Sequence, residues 1–287
     1  MQTVDVTGPR TWLITGAGRG FGRAFADAVL SAGDRVIATA RRPEQLRDEL
    51  APHGTRAIVC RLDVNSRSDV ISTIDRLINE VGGLDIVVNN AGYGLSGAVE
   101  EVTELEAREQ FETNFFGALW VTQAVLPHMR ARRRGHIIQV SSLAGVISAP
   151  NLGIYCASKW ALEAMSEALA GEVKPFGIHV TIVEPSGFRT EWNGGSMVRA
   201  QPLAAYDEVL AGARAALSVT EPRVQPGDPA RAAQVLLQLV DAAEPPLRLP
   251  LGNMAVDVAA RTYQARMEAS AAWADVSRSA DAAVATS

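Results

Sequence analysis

Thr15-Gly16-Ala17-Gly18-Arg19-Gly20-Phe21-Gly22 joins a short apolar run, Thr11–Thr15, to a segment with helical periodicity, Phe21–Ala32. Glycines at 16, 20 and 22 permit a tight turn and let backbone approach a pyrophosphate closely. The N-terminus of the following helix adds N–H donors and the positive end of its dipole. A glycine-rich stretch alone is only a turn; set between a strand and a helix it points to a dinucleotide. The same rhythm continues outward from it. Further apolar runs lie at Arg35–Ala40, Ala57–Leu62, Leu84–Asn89, His136–Ser141, His179–Glu184 and, more weakly, Leu247–Leu249. Between them stand the periodic segments Asp69–Val81, Leu105–Met129 and Tyr155–Lys174.

Strands that are apolar throughout and alternate with helices form a parallel sheet covered on both faces. Right-handed crossovers wind such a sheet doubly. The expected fold is therefore α/β, a doubly wound parallel sheet of about seven strands (a Rossmann fold) in a single domain. That domain is expected over residues 9–252, followed at 253–287 by a C-terminal helical extension, Ala-rich over Met254–Val276, with a frayed tail. Residues 186–227 break the rhythm: they hold no clear strand, contain Gly194-Gly195, and run through Pro222, Pro226 and Gly227. So long a connection inside an α/β unit reads as a substrate lid. Asp228-Pro229 then reads as an N-cap with proline in the first helical turn.

Composition narrows the function. The 287 residues are 47% hydrophobic and 21% charged, with net charge −5, which argues against nucleic acid or an anionic membrane as partner. The basic run Arg132-Arg133-Arg134 follows a helical pattern and suits a helix C-terminus. Cys60 and Cys156 are too few for a disulfide framework, and Cys60 lies in an apolar run as a small hydrophobe. His53, His128, His136 and His179 lack ligand spacing, so no metal is expected. The N-terminus carries Asp5 and no apolar stretch after a basic region, so no signal peptide is expected. No run reaches about 18 apolar residues. A cytoplasmic protein is the expectation.

The second strand ends Ala38-Thr39-Ala40-Arg41-Arg42. NAD-binding units place a carboxylate there for the adenine-ribose hydroxyls. Here Ala40 is followed by two guanidinium groups, with Arg19 in the glycine loop. A carboxylate would repel a 2′-phosphate, whereas arginine grips it with paired hydrogen bonds, so the residues point to NADP(H). Solvated arginines opening the next helix are the alternative. Further along, Tyr155-Cys156-Ala157-Ser158-Lys159 opens a helical segment with Tyr155 and Lys159 on one face. A phenol ionises near pH ~10, and a nearby ammonium lowers that value. Ser142 closes the fifth strand at the sheet edge where open α/β folds bind ligands.

With these residues in place, the chain resembles the short-chain dehydrogenase/reductase family in its single-domain form. Gly16–Gly22 matches the family's TGxxxGxG, and Asn89-Asn90-Ala91-Gly92 its NNAG. Asp63-Val64 matches the pair that meets the adenine. Asn114, Ser142, Tyr155 and Lys159 match the tetrad. The resemblance spans roughly residues 9–250. It implies that Tyr155 exchanges a proton with the substrate oxygen and that Ser142 holds and polarises that oxygen. Lys159 would bind the nicotinamide ribose and depress the tyrosine pKa, while Asn114 supports a water chain to the lysine. Gly16, Gly18, Arg19, Gly20, Phe21, Gly22, Arg41, Arg42, Asp63, Val64, Asn90, Ala91 and Gly92 would bind cofactor, with Tyr155, Lys159, Pro185, Phe188 and Thr190. One motif departs from pattern: in Pro185-Ser186-Gly187-Phe188-Arg189-Thr190, Ser186 replaces the usual glycine. Serine strains the turn if that position needs φ > 0 and is mild otherwise.

Substrate walls are expected from Leu143, Ala144, Val146 and Leu152 beside the tetrad, from Tyr93, and from Phe188, Trp192 and Met197 in the lid, with Ser142 on the reacting oxygen. These are mostly apolar, favouring a small-molecule ketone or secondary alcohol of apolar character. The leading reading is an NADP(H)-dependent carbonyl reductase or alcohol dehydrogenase. Dehydration, epimerisation or imine reduction on the same scaffold would show as turnover without net change in nicotinamide absorbance, or as activity on imines alone. A non-catalytic NADP(H)-sensing protein would more often lack the tyrosine or lysine. The resemblance also implies a homodimer or homotetramer.

Overall fold

The computed structural model describes residues 8–217 and 225–281. Three stretches lie outside them: residues 1–7 with Asp5, residues 218–224 of the expected lid with Pro222, and residues 282–287 of the expected tail. Every residue of β1 (Thr11–Ile14) is buried. Trp12 and Ile14 enter one apolar core and Leu13 the other, as alternating side chains of a strand covered on both faces must. The remaining strands are β2 (Arg35–Ala40), β3 (Ala57–Arg61), β4 (Ile86–Asn89), β5 (Gly94–Ser96), β6 (Gly135–Val140), β7 (Ile178–Pro185), β8 (Met197–Arg199) and β9 (Arg248–Leu251). Seven of them form one parallel sheet in the order β3-β2-β1-β4-β6-β7-β9. The fold is the doubly wound parallel sheet that the alternating runs imply.

The helices are α1 (Gly20–Ser31), α2 (Glu44–Leu50), α3 (Arg67–Val81), α4 (Glu104–Phe111), α5 (Gly117–Arg132), α6 (Gly153–Val173), α7 (Asp207–Leu217), α8 (Pro229–Asp241), α9 (Asn253–Ala272) and α10 (Ala274–Arg278). α1 and α8 cover one face of the sheet with Phe25, Val29, Ala233 and Leu236. α3, α5 and α6 cover the other with Ile74, Val125 and Leu169. Their ends follow local chemistry. Ser66 accepts from Asp69 N–H to start α3, which stops at Gly82 with φ 80°. Asp228 caps α8 with Pro229 in its first turn. Among the described residues no helix is long and apolar enough to cross a membrane.

Chain direction across the sheet reverses between β1 and β4, so the crevice beyond their carboxyl ends is where a ligand is expected. Two features there correct the sequence reading. The segment Leu105–Met129 is not one helix: a π turn, Glu112–Phe116, separates α4 from α5 and carries Asn114. A π turn holds one more residue than an α turn, and a change confined to a single turn is too short to stand out from the helical period on either side of it. Nor is the 186–227 connection strandless. β8 pairs in parallel with β5, Gly94 opposite Met197 and Ser96 opposite Arg199, and α7 lies beyond it. The arginine run also does more than complement a helix dipole. Arg132 and Arg134 both reach Asp85, at 3.1 and 3.2 Å, and so fasten the end of α5 just ahead of β4.

Candidate active site

The glycine loop is shaped by contact with the strand beside it. Gly16 and Gly20 have φ of 65° and 56°, the left-handed region where other residues are strained. At Gly22 a Cβ would lie 2.5 Å from Asn90 Nδ2, so the loop closes onto the end of β4 only without one. Hydrogen bonds complete this junction. Thr15 Oγ1 accepts from the N–H groups of Asn90 and Ala91 at 3.0 and 3.1 Å. Asn90 Nδ2 donates to the carbonyls of Thr15 and Gly16 at 2.9 and 3.1 Å. Arg19, the N-cap of α1, makes no side-chain cap hydrogen bond. The first N–H groups of α1 therefore face the loop free of a side-chain cap, a donor set that fits a pyrophosphate.

Around this loop stand the other residues expected to meet the nucleotide. Arg41 and Arg42 are exposed just past the end of β2. Arg19 is turned toward the segment after β7, its guanidinium 3.7 Å from Glu191. Asp63 Oδ1 accepts from Asn65 N–H at 3.1 Å, and Val64 is buried. Phe21 packs edge-on against Phe188 at 4.9 Å, so the helix start touches the segment after β7. Thr190 accepts from Trp192 N–H at 3.4 Å. Ser186 lies outside the left-handed region, and its hydroxyl donates to Leu251 O at 3.4 Å. The glycine-to-serine change is therefore unstrained, and Pro185 sits at the end of β7.

At the carboxyl end of β6, Ser142 leaves the strand and accepts from Ala144 N–H at 3.1 Å. Tyr155, in the first turn of α6, is buried, and the Ser142 hydroxyl acts on its phenol. One turn on, Lys159 is buried too, and its Nζ donates to Val140 O at 2.8 Å. Asn114 is fixed on three sides. Its Oδ1 accepts from Tyr93 N–H at 3.0 Å, and its Nδ2 donates to Tyr93 O at 3.0 Å and Ser158 Oγ at 3.2 Å. Trp192 lies over Tyr155 with ring centroids 5.3 Å apart. The structure thus brings Tyr155, Lys159 and Asn114, all buried, together with half-buried Ser142 beneath Trp192.

The electrostatics differ from the sequence expectation. Burial pushes the Tyr155 phenol up, and the Ser142 hydroxyl pulls it only part of the way back. Desolvation outweighs any help from the lysine, whose Nζ is directed to the Val140 carbonyl. Lys159 is itself lowered to about 8 by burial, with the charge of Glu163 opposing the fall. At neutral pH the cluster therefore holds a protonated phenol beside a largely charged ammonium.

The sequence profile of the short chain dehydrogenases matches residues 10–198. The chain belongs to the short-chain dehydrogenase/reductase family. It is an oxidoreductase, and its relatives agree. The chain is 39% identical to oxidoreductase BOA17 of Botryotinia fuckeliana over 93% of this chain and 98% of that protein. It is 37% identical to the 3-ketodihydrosphingosine reductase of Bacteroides thetaiotaomicron, over 86% of this chain and 89% of the relative. A short-chain dehydrogenase structure from Streptomyces avermitilis superimposes with TM-score 0.89 at 41% identity, covering 95% of this chain and all of that one.

Three expected wall residues of this dehydrogenase, Leu143, Val146 and Tyr93, are placed differently. Leu143 is buried with Val146 and Ala259 in a small apolar cluster that seats α9. Both the Leu143 and Val146 side chains are taken up by packing, because the turn after Ser142 faces the C-terminal helix. Tyr93 is half-buried, and its phenol is pushed up to about 12 by burial and then by Glu109, with Arg41 opposing. Those charged neighbours put its ring toward the end of β2 and α4. Other residues of the site escaped the sequence reading. Thr15, Ser141, Ser158 and Glu163 act through hydrogen bonds between segments distant in sequence, and only the fold brings those segments together.

Proposed function

We propose that this chain is an NADP(H)-dependent reductase, or in reverse a dehydrogenase, acting on an apolar ketone or secondary alcohol. The observation that carries the reading is the buried Tyr155 on the same helix as buried Lys159, one turn away, with Ser142 acting on its phenol and the start of α1 free of a side-chain cap. NADPH supplies the hydride when bound; Gly16–Gly22, Asn90 and Thr190 would hold it, with Arg41 and Arg19 on its 2′-phosphate. Ser142 orients the substrate carbonyl by donating to its oxygen. Tyr155 gives that oxygen its proton, and the resting state suits this step because burial keeps the phenol protonated. Lys159 keeps a positive charge near the phenolate left behind and so limits the cost of forming it.

Apolar walls support the substrate class. Trp192 covers Tyr155, and Met197 is buried in the lid. The nearby cations Arg19 and Arg189 face Glu191 and Asp228, at 3.7 and 3.0 Å. Reduction of a ketone, as in the name of the Bacteroides relative, 3-ketodihydrosphingosine reductase, fits the same reaction. Residues 186–227 are proposed as the lid over this site. The test is nicotinamide absorbance with NADPH and NADH side by side, on a ketone panel graded from polar to long-chain. Faster oxidation of NADPH with the apolar ketones is expected. Activity confined to phosphorylated or carboxylate ketones would overturn the substrate class.

A further inference from the structure

Behind the turn that carries Ser142 lies a buried ionic cluster which the hydride-transfer reading leaves without a role. Glu163, two helical turns beyond Tyr155 and one beyond Lys159 on α6, is 3% exposed. Ser141 Oγ donates to its Oε1 at 2.7 Å, and Arg248 from β9 donates to its Oε2. The same guanidinium reaches Glu184 of β7 at 3.0 Å and Glu167 of α6 at 2.7 Å. The fit is close: a Cβ on Gly145 would run into the Glu163 carboxylate, so this position in the serine turn requires glycine. One carboxylate thus touches both ends of the turn that presents Ser142, and stands one turn along α6 from Lys159.

A buried carboxylate is costly unless it is matched. Burial raises the Glu163 pKa, while Ser141, Arg248 and Lys159 oppose the rise. Glu184 is pushed to about 7 by burial and by Glu163, and its Oε2 is buried without a partner, so it takes up a proton most readily. With Glu184 neutral, the cations Lys159 and Arg248 balance the anions Glu163 and Glu167. The groups facing Glu163 are Lys159 and Glu167 from α6, Ser141 from the end of β6, Glu184 from β7, Arg248 from β9 and the Tyr263 phenol from α9.

We propose that Glu163 is a positioning residue: anchored by Arg248 and Ser141, its carboxylate keeps the Lys159 ammonium charged and locks the turn that presents Ser142. The catalytic consequence rests on the tyrosine–lysine reading above; the charge coupling does not. An isosteric glutamine would keep the packing and lose the charge, leaving burial unopposed at Lys159.

The chain contains only two lysines, Lys159 and Lys174, so protein labelled with carbon-13 at the lysine ε position gives two NMR signals that titrate separately. Exposed Lys174 is the internal control. Glu163→Gln is expected to lower the Lys159 midpoint by about one pH unit or more and leave Lys174 unmoved. Glu184→Gln disturbs the same arginine cluster and should leave Lys159 near its wild-type midpoint. In the wild type, Lys159 should also show a smaller inflection on its acid side as Glu163 takes up a proton, which Lys174 lacks. This arm holds even should Glu163→Gln not fold. An unchanged Lys159 midpoint in folded Glu163→Gln, equal shifts in both variants, or no acid inflection in the wild type would each overturn the proposal. A negative ketone panel with a shifted Lys159 would refute the proposed activity and leave the coupling standing. An unshifted Lys159 in an active reductase would do the reverse.

Discussion

Ala40 and Arg41 set the nicotinamide preference proposed for this dehydrogenase, because the end of β2 is where a carboxylate would have to stand to favour NADH. Arg41 is exposed there, and Arg19 makes a half-exposed contact of 3.7 Å to Glu191. An exposed pair of that kind contributes about 0–1 kcal/mol, so a phosphate can compete for Arg19. Hydrogen bonds to a charged group contribute about 1.5–3 kcal/mol, roughly ten- to a hundredfold in affinity. Arg41→Ala is therefore expected to raise the KM for NADPH by about tenfold or more and to leave that for NADH nearly unchanged. Ala40→Asp should invert the preference, since the new carboxylate repels phosphate and accepts from ribose hydroxyls. Steady-state kinetics with both cofactors decide it, and equal use of NADH by the wild type would sink the assignment. At the proton-transfer site, Tyr155→Phe removes only the hydroxyl. It should reduce kcat by a factor of about 100 or more while NADPH affinity, read by fluorescence titration, stays within a few-fold. Retention of about a tenth of the wild-type rate would exclude the acid–base role.

Between elements, the contact that most changes the picture of the lid is the pairing of β5 with β8. It ties Met197–Arg199 to the segment just after Asn90-Ala91-Gly92, and Ala200 N–H donates to Ser96 O at 2.8 Å. The proposed lid is therefore stitched to the sheet side of the site at β8. In hydrogen exchange on the free enzyme, amides of β8 and Ala200 should be protected, whereas those of α7 and of 191–195 exchange faster than the sheet. NADPH and substrate should slow the second group, as a closing lid would. Equal rates with and without ligand would leave the segment a fixed wall. This region also shows where reading a sequence stops. Six of the seven sheet strands were legible because each is a dense apolar run between helical periods, whereas β9, Arg-Leu-Pro-Leu, showed only weakly. β5, Gly-Leu-Ser, and β8, Met-Val-Arg, are three residues each, too short to show a period of two. The glycine loop, Ser142, Tyr155 and Lys159 were legible because their spacing along the chain is itself the signal. Leu143 and Glu163 were not: whether a leucine lines a pocket or seats a helix, and whether a glutamate is solvated or buried on an arginine, depends on α9 and β9, more than a hundred residues away in the first case and 85 in the second.

Taken as a whole, the molecule buries two titratable groups whose effects on stability oppose each other across the mildly acidic range. His136 on β6 is held neutral by burial, with His179 adding to the effect, and its pKa falls from 6.5 to about 3. Its ring nitrogen pairs with Thr181 Oγ1 at 3.0 Å. Because Thr181 in turn donates to Pro246 O at 2.7 Å, the histidine is the donor, a role the neutral ring can fill. The unfolded chain takes up this proton below pH 6.5 and the folded one does not, so stability is lost as pH falls from 6.5 toward 3. Glu184 acts in the other direction. Its folded pKa is raised from 4.5 to about 7, so the folded state binds the proton more tightly and stability is lost as pH rises through that interval. Each slope is about 1.4 kcal/mol per pH unit. Between pH 4.5 and 6.5 the two cancel, and the wild-type melting temperature should be nearly flat there and fall steeply below 4.5. Glu184→Gln removes one of the opposed effects. Its melting temperature should climb with pH across the same interval, by about 2–4 °C per pH unit for a chain of this size. His136→Gln should do the opposite and melt at lower temperature as pH rises toward 7. Calorimetric scans of the three proteins at half-unit steps give the answer directly. A wild-type Tm that already climbs from pH 4.5 to 6.5 as in Glu184→Gln would mean that Glu184 is ionised throughout. Arg248 would then hold both buried carboxylates as anions.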